Sequence, residues 1–242
     1  MEYLLSIAGF DPTSGAGVIR DIITFRKLGF YGLGVATALT YQNTRGFDGF
    51  KVLSSNVVEQ ELKVIMEDFP IKFVKVGMLG TSVDLIVEFA REYDWFLIFD
   101  PLLTAKNGKT INKIEDIEPL LKIAEVITPN VPEAEKLAGI KIKNESDVIS
   151  AGKILTHKYG KYVIIKGGHL NGRDYLFGDE IKSYGMPKIN KIVHGTGCAY
   201  SSSLLSFIAK GLKIEEAFIE VRKFLQREIE NAIDTGGYSL LP

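Results

Sequence analysis

Six short apolar runs, each followed within two residues by glycine, carboxylate or amide, constrain this chain more than any other feature. They span residues 3–8, 33–40, 71–76, 95–99, 125–128 and 162–166. Their nearly continuous apolar character predicts strands covered on both faces. Amphipathic segments lie between them. Residues 17–28 place Val18, Ile19, Ile22, Ile23 and Leu28 near one face and stop at Gly29, a favourable residue just past a helix end. A second helix is expected from Asn56, with Glu59 three residues on as a variant capping box. A third is expected from Thr81 or Ser82 to about Tyr93, and another over residues 199–210. Near the end, Ile214, Phe218, Val221, Leu225, Ile229 and Ala232 recur at steps of four and three, the spacing of a long core-facing helix. Gly178-Asp179 separates two short runs within residues 175–184 and predicts a hairpin. The whole pattern predicts an α/β fold: a three-layer helix–sheet–helix sandwich whose mostly parallel central sheet carries an antiparallel edge. No repeat, linker or low-complexity stretch divides the chain, so residues 1–242 read as one domain.

Composition narrows the function classes. The 242 residues include 29 Lys+Arg and 30 Asp+Glu, a net charge of -1, which gives no basic excess for bulk nucleic acid or an anionic membrane. Hydrophobic residues at 46% and charged residues at 24% exclude a largely disordered or collagen-like chain. Cys198 is the single cysteine, so an intramolecular disulfide is impossible and a reducing compartment is expected. The apolar start has no basic flank, and no run reaches the ~18 residues of a membrane span. These features predict a cytoplasmic protein without a membrane partner. Asn144-Glu145-Ser146 matches a glycosylation sequon, which is read as chance.

In open α/β sheets ligands bind beyond the carboxyl ends of the strands. Those ends here carry residues 9–17, Gln42-Asn43-Thr44, Gly77-Met78-Leu79-Gly80, Asp100-Pro101, residues 129–133 and Gly167-Gly168-His169. This concentration predicts one large site built from many loops, with many of the 24 glycines on its rim. Turn chemistry alone also favours Gly and Asp at such places. His194-Gly195-Thr196-Gly197-Cys198 leads into a helix, where exposed N–H groups and the helix dipole can bind an anion. The Walker and Rossmann glycine patterns are absent. Cys198 is expected in the first turn of that helix, where the positive end lowers a thiol pKa and the sulfur can take a proton; a buried cysteine acting as a small hydrophobe fits the same placement. Asp100 and Glu133 are the candidates for Mg²⁺, since hard cations take oxygen ligands. A turn residue before proline and a first-turn helix residue are the simpler readings of those two.

Residues 9–21, 38–44, 75–80, 100–101, 128–135, 166–170 and 194–198 together resemble, in order and over nearly the whole chain, the hydroxymethylpyrimidine/phosphomethylpyrimidine kinases of the ribokinase-like superfamily. The resemblance implies ATP-dependent phosphorylation of 4-amino-5-hydroxymethyl-2-methylpyrimidine and of its monophosphate, in thiamine biosynthesis, with ATP and Mg²⁺ as cofactors and a homodimer as the assembly. It implies Cys198 as general base where other ribokinase-like enzymes carry Asp, and Gly195, Thr196 and Gly197 as the hole for the transferred phosphoryl. Gly9, Asp21, Gln42 and Met78 would line the pyrimidine pocket. Asn130 with Glu133 would organise Mg²⁺ and phosphate, and Lys166, Lys106 and His194 would face the nucleotide. A solvated loop lysine is an equal reading of Lys106. The chain departs from the family at Ser14, where glycine is common, and at Leu102, Leu103 and Asn107. Two rivals follow: a pyridoxal kinase-like activity and a non-catalytic pyrimidine-binding sensor.

Overall fold

Leu4 and Leu5 are neighbours on β1 (Tyr3–Phe10), and each is wholly buried in a different apolar core. That alternation, set by the two-residue period of a strand, recurs along the sheet. Leu97 and Phe99 face one side of β5 (Phe96–Phe99), and Ile98 faces the other. A buried Leu or Ile contributes about 1.5–3 kcal/mol relative to an exposed one. A sheet with apolar side chains on both faces therefore requires helices on both faces.

The computed structural model describes residues 2–104, 108, 110–167, 172–187, 189 and 191–242. The remaining strands of the main sheet are β2 (Tyr31–Gln42), β3 (Phe47–Val52), β4 (Phe73–Val76), β6 (Val126–Ile127), β7 (Tyr162–Ile165), β8 (Arg173–Phe177) and β9 (Ile181–Gly185). Their order is β3-β2-β1-β4-β5-β6-β7-β8-β9. Strands β2 through β7 in this order pair parallel. Strand β3 pairs antiparallel at one edge, and β8 and β9 do so at the other. The expected hairpin is present; the β3 edge was not expected. Helices α2 (Ser55–Asp68), α3 (Val83–Glu92), α4 (Ile114–Ile123), α5 (Val131–Ala138) and α6 (Glu145–Tyr159) cover one face. Helices α1 (Gly17–Lys27), α7 (Thr196–Ala209) and α8 (Ile214–Glu230) cover the other. A small parallel pair, β10 (Val193–His194) with β11 (Ser239–Leu240), sits apart from the main sheet. The three-layer sandwich is as expected. Among the described residues no helix is long and apolar enough to cross a membrane.

Two local expectations are corrected. Helix α2 starts one residue before Asn56, with Ser54 as its cap and no side-chain cap bond, so the Asn56–Glu59 box does not form. Capping boxes close instead at Asn130/Glu133 and at Asn144/Asp147. The Asn144 side chain that matched a glycosylation sequon thus accepts the Asp147 N–H at 3.1 Å as the cap of α6. Helix α6 also holds Gly152, where a β-carbon would come within 2.2 Å of the Phe177 ring.

Candidate active site

The parallel strands and α1, α5 and α7 bring the predicted loops to one end of the sheet, around a cavity of about 890 Å³. Gly9, Gln42, Met78, Asp100, Asn130, Glu133, Lys166 and His194 line it, as do all four residues of the 195–198 segment. Asp21 does not. Lys106 lies outside the described residues.

The backbone of this region depends on two glycines. Gly195 caps α7 with φ +80°, and a β-carbon there would lie 1.6 Å from the Gly15 carbonyl oxygen. Gly17 opens α1 with φ +62°, and a β-carbon there would lie 2.0 Å from the Gly9 carbonyl oxygen. Only glycine allows such approaches. The first loop and the loop before α7 are thereby in backbone contact. Asp11 fastens them together. Its carboxylate accepts the N–H of Thr13 and Ala16 (both 2.9 Å) and the Thr13 hydroxyl (2.8 Å), and it meets His194 Nε2 at 3.1 Å. Burial alone would raise the Asp11 pKa, but these bonds from His194 and Thr13 outweigh it and hold the carboxyl below its ordinary value. His194, predicted to face the nucleotide, is therefore engaged from one ring nitrogen in holding this loop.

The amino end of α7 faces two charges. A β-carbon at Gly197 would lie 3.7 Å from Lys166 Nζ and 3.9 Å from Asp100 Oδ2. Lys166 donates to Asp100 Oδ1 at 2.7 Å, and Thr128 Oγ1 donates to the same oxygen at 3.2 Å. Burial would lower the Lys166 pKa; Asp100 and Glu133 override it, so the ammonium stays charged. Glu133 serves the α5 cap, accepting the Asn130 N–H at 2.8 Å while Asn130 Oδ1 accepts the Glu133 N–H at 2.9 Å. Burial, with Asp100 nearby and despite Lys166, pushes Glu133 up to about 7. Among the described residues no group of three His, Cys, Asp or Glu side chains could enclose a metal unaided. Two carboxylates on one cavity wall nevertheless suit Mg²⁺, which keeps waters and takes phosphate oxygens to fill its shell.

Asp21 is a correction. It is 0% exposed, and its carboxylate is held by Lys75 Nζ at 2.7 Å, by the Ser6 hydroxyl at 2.5 Å and by the Ser202 hydroxyl. It lies behind the cavity wall and orients Lys75, which does line the cavity. Burial disfavours the charge on Lys75, but Asp21 beside it raises its pKa overall. Cys198 lies in the first turn of α7, partly exposed. The helix end was expected to lower its thiol pKa. Burial wins instead and pushes the thiol up, while Lys75 and the Gly17 N–H act in the opposite direction.

At the other side of the cavity Gln42 donates from Nε2 to Thr40 Oγ1 (2.9 Å), which donates to the Phe10 carbonyl (2.9 Å). This chain fixes the amide plane beside Gly9 and Met78, where a β-carbon at Gly9 would come 3.0 Å from the Met78 sulfur. Not every glycine of the expected rim belongs to the site: Gly80, with φ +60°, packs against Val52. Sequence reasoning missed Lys75, Asp174, Tyr200 and Arg222 as cavity residues. For Lys75 a signal existed, since a lysine in the apolar strand Phe73–Val76 cannot stay charged without a buried partner.

The family described as phosphomethylpyrimidine kinase matches residues 11–241. A hydroxymethylpyrimidine/phosphomethylpyrimidine kinase of Aquifex aeolicus (strain VF5) is 39% identical over 250 residues, 98% of either chain. A crystal structure of phosphomethylpyrimidine kinase from Clostridium difficile 630 is similar with a TM-score of 0.81 and 35% identity, covering 94% of this chain and 99% of the other. The pyridoxal kinase from Staphylococcus aureus in complex with ADP is similar with a TM-score of 0.88 and 26% identity, covering 100% of this chain and 93% of the other.

Proposed function

The chain belongs to the phosphomethylpyrimidine kinase family, and on that premise we propose that it transfers phosphoryl groups from Mg·ATP to 4-amino-5-hydroxymethyl-2-methylpyrimidine and then to its monophosphate. It is a phosphotransferase with the ribokinase-like fold. The observation that carries the substrate assignment is the meeting of the α7 amino end, the Lys166–Asp100 pair, Cys198 and the fixed Gln42 amide in one cavity.

In this reading Gly9, Gln42 and Met78 hold the pyrimidine, with the Gln42 amide offering both a donor and an acceptor to the aminopyrimidine edge. The nucleotide phosphates lie toward Asn130 and Lys166. The N–H groups of residues 195–197 and the α7 dipole receive the transferred phosphoryl, a positive field aimed where negative charge is shared between donor and acceptor oxygens. The hydroxymethyl oxygen forms the new P–O bond, the bond to the ADP oxygen breaks, and Cys198 takes the hydroxyl proton. Lys75 beneath the site supports that transfer by favouring the thiolate. Asp100 and Glu133 would hold Mg²⁺, which when bound would supply charge neutralisation. Little covalent chemistry is asked of the protein; positioning and charge suffice. A homodimer is part of this proposal, and sedimentation equilibrium reads it directly.

A second reading has one observation in its favour, the likeness to pyridoxal kinase at 26% identity. Steady-state kcat/KM for the hydroxymethylpyrimidine and for pyridoxal separates the two. A value at least tenfold higher for the pyrimidine supports the first reading; a preference for pyridoxal replaces it with the second.

A further inference from the structure

Asp174 on β8 and Arg222 on α8 form an ion pair at the cavity wall that neither the family resemblance nor the proposed chemistry uses. Arg222 Nη1 lies 3.4 Å from Asp174 Oδ2, with the side chains 17% and 1% exposed. The pair is built into the backbone on both sides. Asp174 Oδ1 accepts the Gly167 N–H at 2.9 Å. Arg222 Nη2 donates to the Gly172 carbonyl at 2.8 Å. Gly167 directly follows Lys166, whose own N–H is held by the Pro129 carbonyl at 2.9 Å and whose ammonium holds Asp100. Gly172, directly before β8, has φ +72°. One ion pair thus grips the backbone just after Lys166 and again where it enters the next strand.

A buried carboxylate is costly unless paired, so a carboxylate at 1% exposure calls for a reason beyond stability. Burial pushes the Asp174 carboxyl up, opposed by Arg222, the Gly167 N–H, Lys166 and the Tyr200 hydroxyl. The position of Arg222 supplies the reason. Arg222, Leu225, Gln226 and Ile229 form one face of α8, at helical spacing, and all four line the cavity. Their face is on the Lys166 side of the site. Tyr200 on the next turn of α7 borders the same cavity.

We propose that Asp174 and Arg222 are positioning residues for the phosphoryl donor. They fix the backbone at Gly167, next to Lys166, and at Gly172, and join it to the α8 face of the cavity, and they touch neither the pyrimidine nor the transferred group. This inference rests on the kinase reading of the site. The test measures binding of Mg·AMP-PCP and of the hydroxymethylpyrimidine separately, by calorimetry on the full chain and on Asp174→Asn, Arg222→Lys and the double variant. Lysine keeps the charge but cannot grip Asp174 and the Gly172 carbonyl with one fork. The expected result is a five- to tenfold weaker Kd for Mg·AMP-PCP in each single variant, no further loss in the double, and pyrimidine affinity within twofold of wild type. A folded variant with unchanged Mg·AMP-PCP affinity, equal losses for both ligands, or losses that multiply in the double variant would overturn the inference. Should Asp174→Asn fail to fold, Arg222→Lys decides by the same split between ligands. A wild-type chain that does not bind Mg·AMP-PCP overturns the kinase reading and this inference together.

Discussion

Lys166 Nζ donates to Asp100 Oδ1 at 2.7 Å, and both side chains are 14% exposed, facing the amino end of α7. The pair comes from two strand ends, after β7 and after β5, so neither residue's role is visible from its own loop. In the proposed mechanism the ammonium serves nucleotide phosphate while Asp100 keeps it oriented. Lys166→Met removes a charge-assisted bond of about 1.5–3 kcal/mol and leaves Asp100 without its cation. KM for ATP is expected to rise at least tenfold, with KM for the pyrimidine changed less than threefold, in initial-rate assays varying each substrate.

In the proposed mechanism Cys198 takes the hydroxyl proton. Burial raises its thiol pKa, so the basic form gains population only toward high pH. The wild-type kcat/KM is therefore expected to climb through and beyond the ordinary thiol range. Cys198→Ala should lower kcat by about 10²–10⁴ with little change in pyrimidine affinity. Cys198→Asp, carrying a group ionised at neutral pH, should retain turnover and lose the alkaline climb. An unaltered pH profile in Cys198→Asp would refute the base assignment.

Asp11 sets an acid limit on stability. Its native pKa is depressed, so between the native and unfolded values the unfolded chain binds the extra proton. The stabilisation is complete above the unfolded value of about 3.9 and is lost as pH falls through the lower native one. Denaturant titrations from pH 6 down to pH 2 should show stability falling steeply below about pH 4. Asp11→Asn should flatten that fall and lower stability at neutral pH.

Ser14 occupies a left-handed backbone, φ +60°. The conformation costs a residue with a β-carbon about 1–2 kcal/mol, and glycine's extra chain entropy offsets about 0.5–1 of it. Ser14→Gly should stabilise the fold by about 0.5 kcal/mol. A rise in Tm by thermal melting, with unchanged kcat, checks this.

Much of the fold was legible because parallel strands covered on both faces leave apolar runs that helices do not mimic. Residues 3–8 and 162–166 were read nearly at their observed bounds. Helix α6 was missed because only Val148, Ala151, Gly152, Leu155 and Tyr159 of its residues are buried, and Gly152 looks like a breaker until the Phe177 ring is seen against it. Strand β3 was missed because its side chains are half exposed and carry no apolar run. The site was legible wherever a loop follows a parallel strand, from Gly9 to Cys198. Asp21 was misplaced because its motif fixes its position in sequence and not its direction: it turns inward to Lys75. Asp174 and Arg222 were invisible for a related reason. One sits in an antiparallel edge strand and the other in mid-helix, and only the packing of α8 brings them within 3.4 Å.

The central claim is the transfer of phosphoryl groups to the hydroxymethylpyrimidine. Mass spectrometry of the products formed by the purified chain with Mg·ATP and this pyrimidine tests it most directly. The monophosphate is expected first and then the diphosphate, with ADP formed in step. ADP without any phosphorylated pyrimidine, or no turnover while pyridoxal is phosphorylated under the same conditions, would contradict it.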